Sequence, residues 1–558
     1  MPQLTRIPSD IWHRIFLYLA ESVGTSGPPS TIIPMVLVNR WMHSILCICS
    51  AGNSHLYANI FDDYFDSRSP RLRLGYSRTT SSARAAELIN RFSSMARIRQ
   101  GDIHYDGNLI TQDVFRCFFM LLESDWKNAK LLMGYARLRD FTYRLAVSQF
   151  GDNDDDSHLQ SDALRACLLW VLWMISSNGS LIFEDEPLAI RLQDGVLPYA
   201  ISAWLFNDYP PLRNPYPSDV GTYSESRTTT GSQSFYSIPM FSHLVTFVIP
   251  PISPVAILSF CARADACLLR YSHNADPSNS HPGNESIDRA RRMLSSSVAG
   301  LEEFSSHTSS HADPSYRPSN QFQDDWARLQ CTFQTSGGPS ETGSSAINTR
   351  RLITLLSGIW EGRIEHPNYS QYMALRDSQR PSPSAYESLF MTSLPLLFQL
   401  TIFYSSSAEE SLRLNLEGDG ILNAWFPPDY EVEINYMRSG ELRIWDRAEN
   451  KMARYSPFVP ELASGFLGLA EDEKIDDVII IGNSTAHDTR YIGRVRLSDG
   501  LIVLLRDPIQ TGRELLRGYI HHSDVFVGRW RTAASPADAD NWEGPFVLGH
   551  RDELPRTS

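Results

Sequence analysis

The sequence predicts a multidomain α+β protein: N-terminal helices, an all-α linker region and a C-terminal antiparallel β-barrel. Three observations predict it. Large apolar residues recur at steps of three and four twice within the first fifty positions. Helix start and stop signals then follow one another from about residue 55 to 205. From about residue 350, short β-type runs alternate with turn residues. At 558 residues the chain is too long for one core and should divide into about two to four domains.

The first stripe is opened by Pro8, whose missing N–H and fixed φ suit the first position of a helix. Asp10 lies in the first turn, where the positive end of the helix dipole favours an anion. Ile11, Trp12, Ile15, Phe16 and Leu19 then share one face, and Leu37, Val38, Trp41, Ile45 and Ile48 repeat the stripe. Two short helices cannot bury so many large groups against each other, and fully burying each is worth roughly 1.5–3 kcal/mol. The remainder either joins a larger helical core or forms a docking surface.

The order Ile7-Pro8-x-Asp10-Ile11-Trp12-x-x-Ile15-Phe16-x-x-Leu19, followed by Leu37-Val38-Asn39-Arg40-Trp41 and Ile45, resembles the F-box over roughly residues 4–50. That resemblance implies docking onto Skp1, the adaptor of cullin-based ubiquitin ligases. Ile7, Pro8, Ile11, Trp12, Ile15, Phe16, Leu19, Leu37, Val38, Trp41 and Ile45 would be the contact residues. There are two departures from the family pattern. The connection Glu21–Thr31, with Gly24, Gly27, Pro28 and Pro29, is longer than usual, and Asn39 stands where cysteine or serine is common.

Composition sets limits on the rest. The apolar and charged fractions, 42% and 20%, are those of an ordinary globular protein. A net charge of −14 argues against a general nucleic-acid binder, which needs a basic footprint. Seven scattered cysteines suggest a reducing compartment. No signal peptide is expected at Met1, and the longest apolar run, Ala166–Ile175, falls short of the ~20 residues a bilayer requires. Arg551-Asp-Glu-Leu554 is followed by four more residues and is not expected to act as a retention tail. The expected location is cytoplasmic, nuclear or both, with no membrane and no nucleic-acid partner.

The expected domains are residues 1–54 (the F-box), 55–206 (a helical linker), 207–349 (helical and low-complexity insertions) and 350–552 (the barrel). In the linker, Ser82 is a candidate cap for a helix ending at Gly101, and Thr111 for one through Leu122. Asp125 would open a long helix through Leu145, and Asp162 one through Ser176. Eight arginines against one acid, Glu87, between Arg68 and Arg99 read as a solvated face, with a contact for an acidic neighbour as the alternative. Tyr209–Ser237, Ser272–Asn320 and Gln334–Ser345 read as loops around the apolar block Leu244–Leu269, which its prolines interrupt.

The barrel half is clearest at Tyr491–Ser498, Asp499-Gly500 and Leu501–Arg506, where Asp-Gly favours a two-residue turn setting Leu497 opposite Ile502. Strands follow at Glu514–His521, Val525–Arg531 and Trp542–His550, and precede at Ser411–Leu416, Tyr430–Met437 and Glu441–Trp445. Trp360-Glu-Gly362, Tyr491-Ile-Gly493, Leu516-Arg-Gly518, Phe526-Val-Gly528-Arg-Trp530 and Trp542-Glu-Gly544-Pro-Phe546 place glycines beside large strand residues. These pieces resemble the lipocalin-like barrel at the C-terminus of some fungal and vertebrate F-box proteins, including vertebrate ones that target cyclins. In that family the barrel reads the substrate.

Catalytic chemistry is sparse. Asp152–Asp156 lacks the glycine and the final glutamate of a calcium loop. Gly482-Asn-Ser484-Thr-Ala486, with His487 and Asp488, half resembles a nucleophile elbow, but a strand follows instead of a helix. Cys261, Cys267, His273, His281, His307 and His311 lack zinc spacing, and no phosphate loop appears. No cofactor, metal or catalytic residue is expected. Residues 401–500 hold 18 acids and 10 bases, suggesting a barrel mouth, with acids such as Asp472 and Asp476, that prefers a basic or neutral segment.

The expectation is therefore a non-catalytic substrate-recognition subunit of an SCF-type ubiquitin ligase, with a Skp1-like adaptor, a cullin beyond it, and an unknown protein substrate. The alternatives are a carrier or sensor of a small apolar ligand in the barrel and, third, a hydrolase based on Ser484.

Overall fold

The computed structural model describes residues 7–21, 27–48, 52–150, 162–202, 235–274, 285–297, 317–330, 348–378, 383–412, 430–435, 440–447, 449–459, 475–484, 489–497, 499–508, 513–532 and 542–551. Three short helices open it: α1 (Ser9–Glu21), α2 (Ile32–Leu37) and α3 (Arg40–Leu46). Asn39 is the cap of α3; its side-chain oxygen accepts from the Met42 N–H at 2.8 Å, which is the role asparagine fills best at a helix start. The connection between α1 and α2 is tied down: Thr31 Oγ1 donates to the Leu19 carbonyl at 3.0 Å. At Gly27 (φ +150°) a Cβ would lie 2.6 Å from the Tyr135 ring.

Helix α4 (Ser54–Tyr64) fastens these helices to the linker. Tyr57 Oη donates to the Leu46 carbonyl at 2.6 Å and Tyr64 Oη to that of Ala20 at 2.8 Å. Each bond satisfies a carbonyl at a helix end that has no partner within its own helix. Next come α5 (Arg68–Leu74), α6 (Ser81–Gln100) and α7 (Gly107–Leu122). The caps differ from those expected: Thr80, not Ser82, caps α6, and Asp106, not Thr111, caps α7. The helix expected from Asp125 is broken into α8 (Lys127–Lys130), a π-turn at Leu131–Tyr135 and α9 (Leu138–Phe150), with Arg137 at φ +54° between the last two. Helices α10 (Asp162–Met174), α11 (Asn178–Ile182) and α12 (Glu186–Ile201) complete this series.

The arginine run is not the uniform solvated face expected: Arg91 is buried, Arg71, Arg73, Arg84 and Arg97 are half-buried, and Arg68, Arg78 and Arg99 are exposed. Arg91 is buried over the rings of Phe61, Phe65 and Phe241 and pairs with Glu87 (3.2 Å) and Glu123 (2.8 Å). Arg97 pairs with buried Asp113 at 2.6 Å. Arg73 spans to the Leu122 and Ser319 carbonyls. A guanidinium enters such an interior only where carboxylates and carbonyls answer its donors.

Within 207–349, the described segments contribute to the same core. The hairpin β1 (Phe235–Met240) and β2 (His243–Val248) turns at Phe241–Ser242, both with positive φ. Its Phe241 N–H donates to Glu87 at 3.1 Å. Helix α13 (Ile252–Asn274) is apolar enough over 20 residues to cross a membrane, yet 83% of its most apolar window is buried inside the protein. It packs with α10 and α12, joined by α14 (Glu285–Ser297), a 3-10 turn at Pro318–Phe322 and α15 (Gln323–Gln330).

After α16 (Thr349–Leu356) the chain becomes a closed eight-stranded antiparallel barrel. Around it run β3 (Gly358–Pro367), β4 (Met391–Ser405), β8 (Asp477–Ser484), β9 (Thr489–Arg496), β10 (Leu501–Pro508), β11 (Glu514–His521), β12 (Val525–Thr532) and β13 (Glu543–Arg551). Gly362 is registered with both Leu396 and Leu548, so β3 joins β4 to β13 and leaves no free edge. Two short helices, α17 (Tyr369–Asp377) and α18 (Pro383–Glu387), link β3 to β4. Strands β5 (Tyr430–Asn435), β6 (Glu441–Asp446) and β7 (Lys451–Pro457) form an annex attached where Phe403 and Tyr404 pair with Pro457 and Ser456. Ser411 and Leu412 are not in a strand, and the rest of that expected strand lies outside the described residues.

The annex covers the outer faces of β8–β11, and the helical body covers those of β12 and β13. Strands buried on both faces read as continuous apolar runs, as Val478–Ile481 and Leu501–Leu505 do. The hairpin before β10 differs from the expected turn: Arg496 pairs with Leu501 and Val495 with Ile502, giving a four-residue loop. Asp499 builds it, accepting from Arg496 Nε (2.8 Å), Tyr519 Oη (3.0 Å) and Leu501 N–H (3.2 Å). The shift is two residues, so every side chain keeps its face.

Arginines lock barrel to helices. Arg529 donates to the Ala200 and Ile201 carbonyls at the end of α12, both at 2.7 Å. Arg363 bridges to Asp265 (2.6 Å) and the Cys261 carbonyl (2.7 Å) of α13. Arg328 of α15 donates to Asp325, to the Asp499 carbonyl and to the Ile520 carbonyl, and Asp325 in turn meets His521 Nδ1 at 2.5 Å. Burial alone would raise Asp325, but His521 and Arg328 bring it down to about 2, while burial lowers His521.

Candidate functional site

Two places combine exposure with chemistry. The first is the N-terminal pair of stripes. Ile11, Ile15 and Tyr18 stand exposed at helical spacing on α1, and Ile33 and Leu37 on the adjoining α2, with Val38 exposed just past its end. Leu37 is 70% exposed, a large cost for an aliphatic side chain that nothing covers. The expected contact residues divide. Ile11, Ile15, Leu37 and Val38 face solvent together with Pro8, while Ile7, Leu19 and Ile45 are half-buried. Phe16 is a correction: it is fully buried, edge-on to Tyr57 at 5.7 Å, and anchors α1 to α4 instead of a partner. Trp12 and Trp41 pack edge to face at 6.2 Å and are half-buried, forming the floor between the exposed stripes.

The second place is the barrel mouth. Trp360, Gly362, Gly493, Gly518, Gly528, Trp530, Gly544 and Phe546 all occupy inward-facing register positions. Gly518 and Gly528 face each other across β11 and β12, and a Cβ at Gly528 would collide with the Arg517 carbonyl oxygen. Below the mouth the lumen is filled: Phe398 lies 4.6 Å from Tyr491, and Phe526 contacts both Trp360 and Phe546. Leu352, Ile353 and Leu356 of α16 plug the far end.

At the open end the inward positions change character. Leu394 faces the lumen yet is 43% exposed, whereas Leu396, one rung deeper, is buried. Arg506 and Glu514 pair at 2.6 Å beside Tyr491, whose hydroxyl burial pushes up to about 12 against the opposing pull of Arg506. His366 stacks on Trp530 at 4.2 Å and meets Trp542 at 5.4 Å. Burial holds His366 below its ordinary value, so its ring stays neutral near pH 7. Tyr369, against Trp542 at 6.1 Å, and Phe390 stand exposed on the rim. None of His366, Leu394, Arg506 and Glu514 was singled out from the sequence. The legible signal was a polar residue where the inward alternation of Ile502 and Leu504, or of Leu516 and Ile520, demands an apolar one.

Of the acids expected at the mouth, only Asp476 is described. Asp476 is at the opposite end, its N–H on the Ser405 carbonyl, and Asp472 lies outside the described residues. Ser484 Oγ donates to the Leu397 carbonyl at 3.3 Å, and His487 and Asp488 lie outside the described residues, as does Asp152–Asp156. Among the described residues no three potential metal ligands converge; Cys261 is buried, with its thiol pushed up to about 11 by burial. Compared with protein-family models, with curated proteins and with solved structures, the chain matches none.

Proposed function

We propose that the chain is the substrate-recognition subunit of an SCF-type ubiquitin ligase, gripping a Skp1-like adaptor through α1–α3 and a protein substrate through the barrel. The observation that carries this reading is the twin stripe of Ile11, Ile15, Tyr18, Ile33, Leu37 and Val38, exposed on two adjoining helices that bear the F-box-like order of residues. Apolar groups of this size at contiguous exposed positions are the usual anchors of a protein interface. The arginine clamps of Arg363, Arg529 and Arg328 support it as well, because they fix the barrel to the helical body, to which α4 fastens α1 and α3. Proximity catalysis by an assembled ligase needs that fixed geometry; this chain would make no bond itself.

Capture of purified Skp1 by the full chain tests the proposal, with Ile15→Asp/Leu37→Asp as the disabled form. No retention of Skp1 by the wild-type chain would end it. The small-ligand carrier is favoured less, because Phe398, Tyr491, Phe526 and Phe546 occupy the lumen a long apolar ligand would need.

A further inference from the structure

We infer that the outer face of α5, together with the adjoining α8, is a docking surface for a carboxylate-rich segment of a partner polypeptide. This surface is separate from the stripes of α1 and α2, and its role does not depend on the adaptor reading.

Its charge runs against that of the whole chain. Across residues 62–80 and 125–130 the exposed charged residues are Arg68, Arg78, Lys127 and Lys130 against one acid, Asp63, although the chain carries a net charge of −14. Arg68, Arg78 and Lys130 form no ion pair among the described residues. The two elements are tied together: the Asn128 N–H donates to Asp66 at 3.0 Å, and Lys127 Nζ donates to the Asp62 carbonyl at 2.7 Å. The other acids here are already engaged. Asp66 is buried against Asn128, and Asp125 accepts from the Ser319 N–H at 3.2 Å. The Asp62 carboxylate is shared, its Oδ2 meeting Arg71 at 2.6 Å and Arg84 at 3.3 Å. One carboxylate between two guanidiniums leaves positive charge in excess. Charges at physiological ionic strength are screened beyond about 8 Å, so an approaching segment meets this local excess and not the net charge of the chain.

Two exposed apolar side chains choose a polypeptide over other anions. Arg68, Arg71 and Leu72 stand at positions i, i+3 and i+4, on one face of α5. Leu72 is 61% exposed, and Tyr76, just past the helix end, is 73% exposed. A polypeptide can lay an apolar side chain on Leu72 and Tyr76 while its carboxylates reach the cations. A free phosphate or a nucleic-acid backbone covers neither. A seven-residue helix with one outward leucine also has too little apolar area to enter a bilayer surface.

The test is fluorescence anisotropy on the full chain with a labelled twelve-residue peptide of repeated Glu-Leu-Asp, beside its Gln-Leu-Asn counterpart. Inorganic phosphate serves as a competitor, and co-sedimentation with phosphatidylserine vesicles runs in parallel. The acidic peptide should bind, the amide counterpart should bind at least tenfold more weakly, and added salt should weaken the complex. Arg68→Glu combined with Lys127→Glu should lose at least tenfold. Arg68→Glu with Arg78→Glu replaces that pair if it melts at a lower temperature. Arg191→Glu, at an exposed cation of α12 outside this surface, should change affinity less than threefold. No binding of the acidic peptide, equal binding of the amide counterpart, or unchanged binding in a folded charge-reversed chain would each overturn the inference. So would an equal loss in Arg191→Glu, displacement by equimolar phosphate, or preferential binding to the vesicles.

Discussion

The exposed stripes allow a quantitative prediction for Ile15→Asp combined with Leu37→Asp. Docking can stabilise only the surface still open, 38% of Ile15 and 70% of Leu37. With about 1.5–3 kcal/mol for each fully buried side chain, these fractions amount to about 1.6–3.2 kcal/mol, a loss of about 15- to 240-fold in adaptor affinity before any cost of burying two carboxylates. Folding should barely change, because both side chains already face water. The assay is calorimetric titration of purified Skp1 into the full chain, with a melting curve for each variant. Phe16→Ala is the contrasting control: its ring is fully buried, so it should lower stability by about 3–5 kcal/mol. An affinity within threefold of wild type for the doubly substituted, fully folded chain would refute the assignment of this surface.

Three further outcomes follow from the fold. Gly528→Ala places a Cβ against the Arg517 carbonyl oxygen and Gly518, so denaturant unfolding should show a loss of about 1–3 kcal/mol or more; an unchanged midpoint would contradict the packing of β11 on β12. Arg529→Met removes two charged hydrogen bonds from the end of α12 and should lower stability by about 1.5–3 kcal/mol, read in the same assay. The third concerns pH. His521 has a depressed value in the folded chain, so below about pH 6.5 the unfolded chain binds the extra proton and wild-type stability falls. The advantage of wild type over His521→Asn in urea midpoint should therefore shrink as pH is lowered from 7.5 to 5, and an advantage that grows would show that the sign is wrong.

Much of the architecture was legible because it rests on local rules. Strands β9 to β13 could be read where apolar runs met turn residues, and Glu514–His521 coincides with β11, whereas β4 (Met391–Ser405) was not read as a strand. The errors share a cause. The hairpin at Asp499 was read from its Asp-Gly pair, but the Asp499 carboxylate is engaged by Tyr519, from the next strand. The hairpin at Phe241–Ser242 has no glycine or asparagine to announce it; burial of Phe241 over Arg91 and its bond to Glu87 hold the positive φ. The arginine run looked solvated because its acids, Asp62, Asp113 and Glu123, lie outside it in sequence.

The sequence by itself determined the periods: 3.6 in the N-terminal half, 2 in the C-terminal half, the proline and tryptophan positions of the first helices, and the glycines set among large strand residues. It did so because helix caps, strand alternation and the space a missing side chain leaves are properties of neighbouring residues. Only the tertiary structure decided which side of the first stripe faces outward. Phe16 is turned inward by Tyr57 of α4, while Ile15, one position away, is left in water. It alone also assembled His366, Leu394, Arg506 and Glu514 at one rim, since barrel closure sets residues far apart along the chain on the same rung.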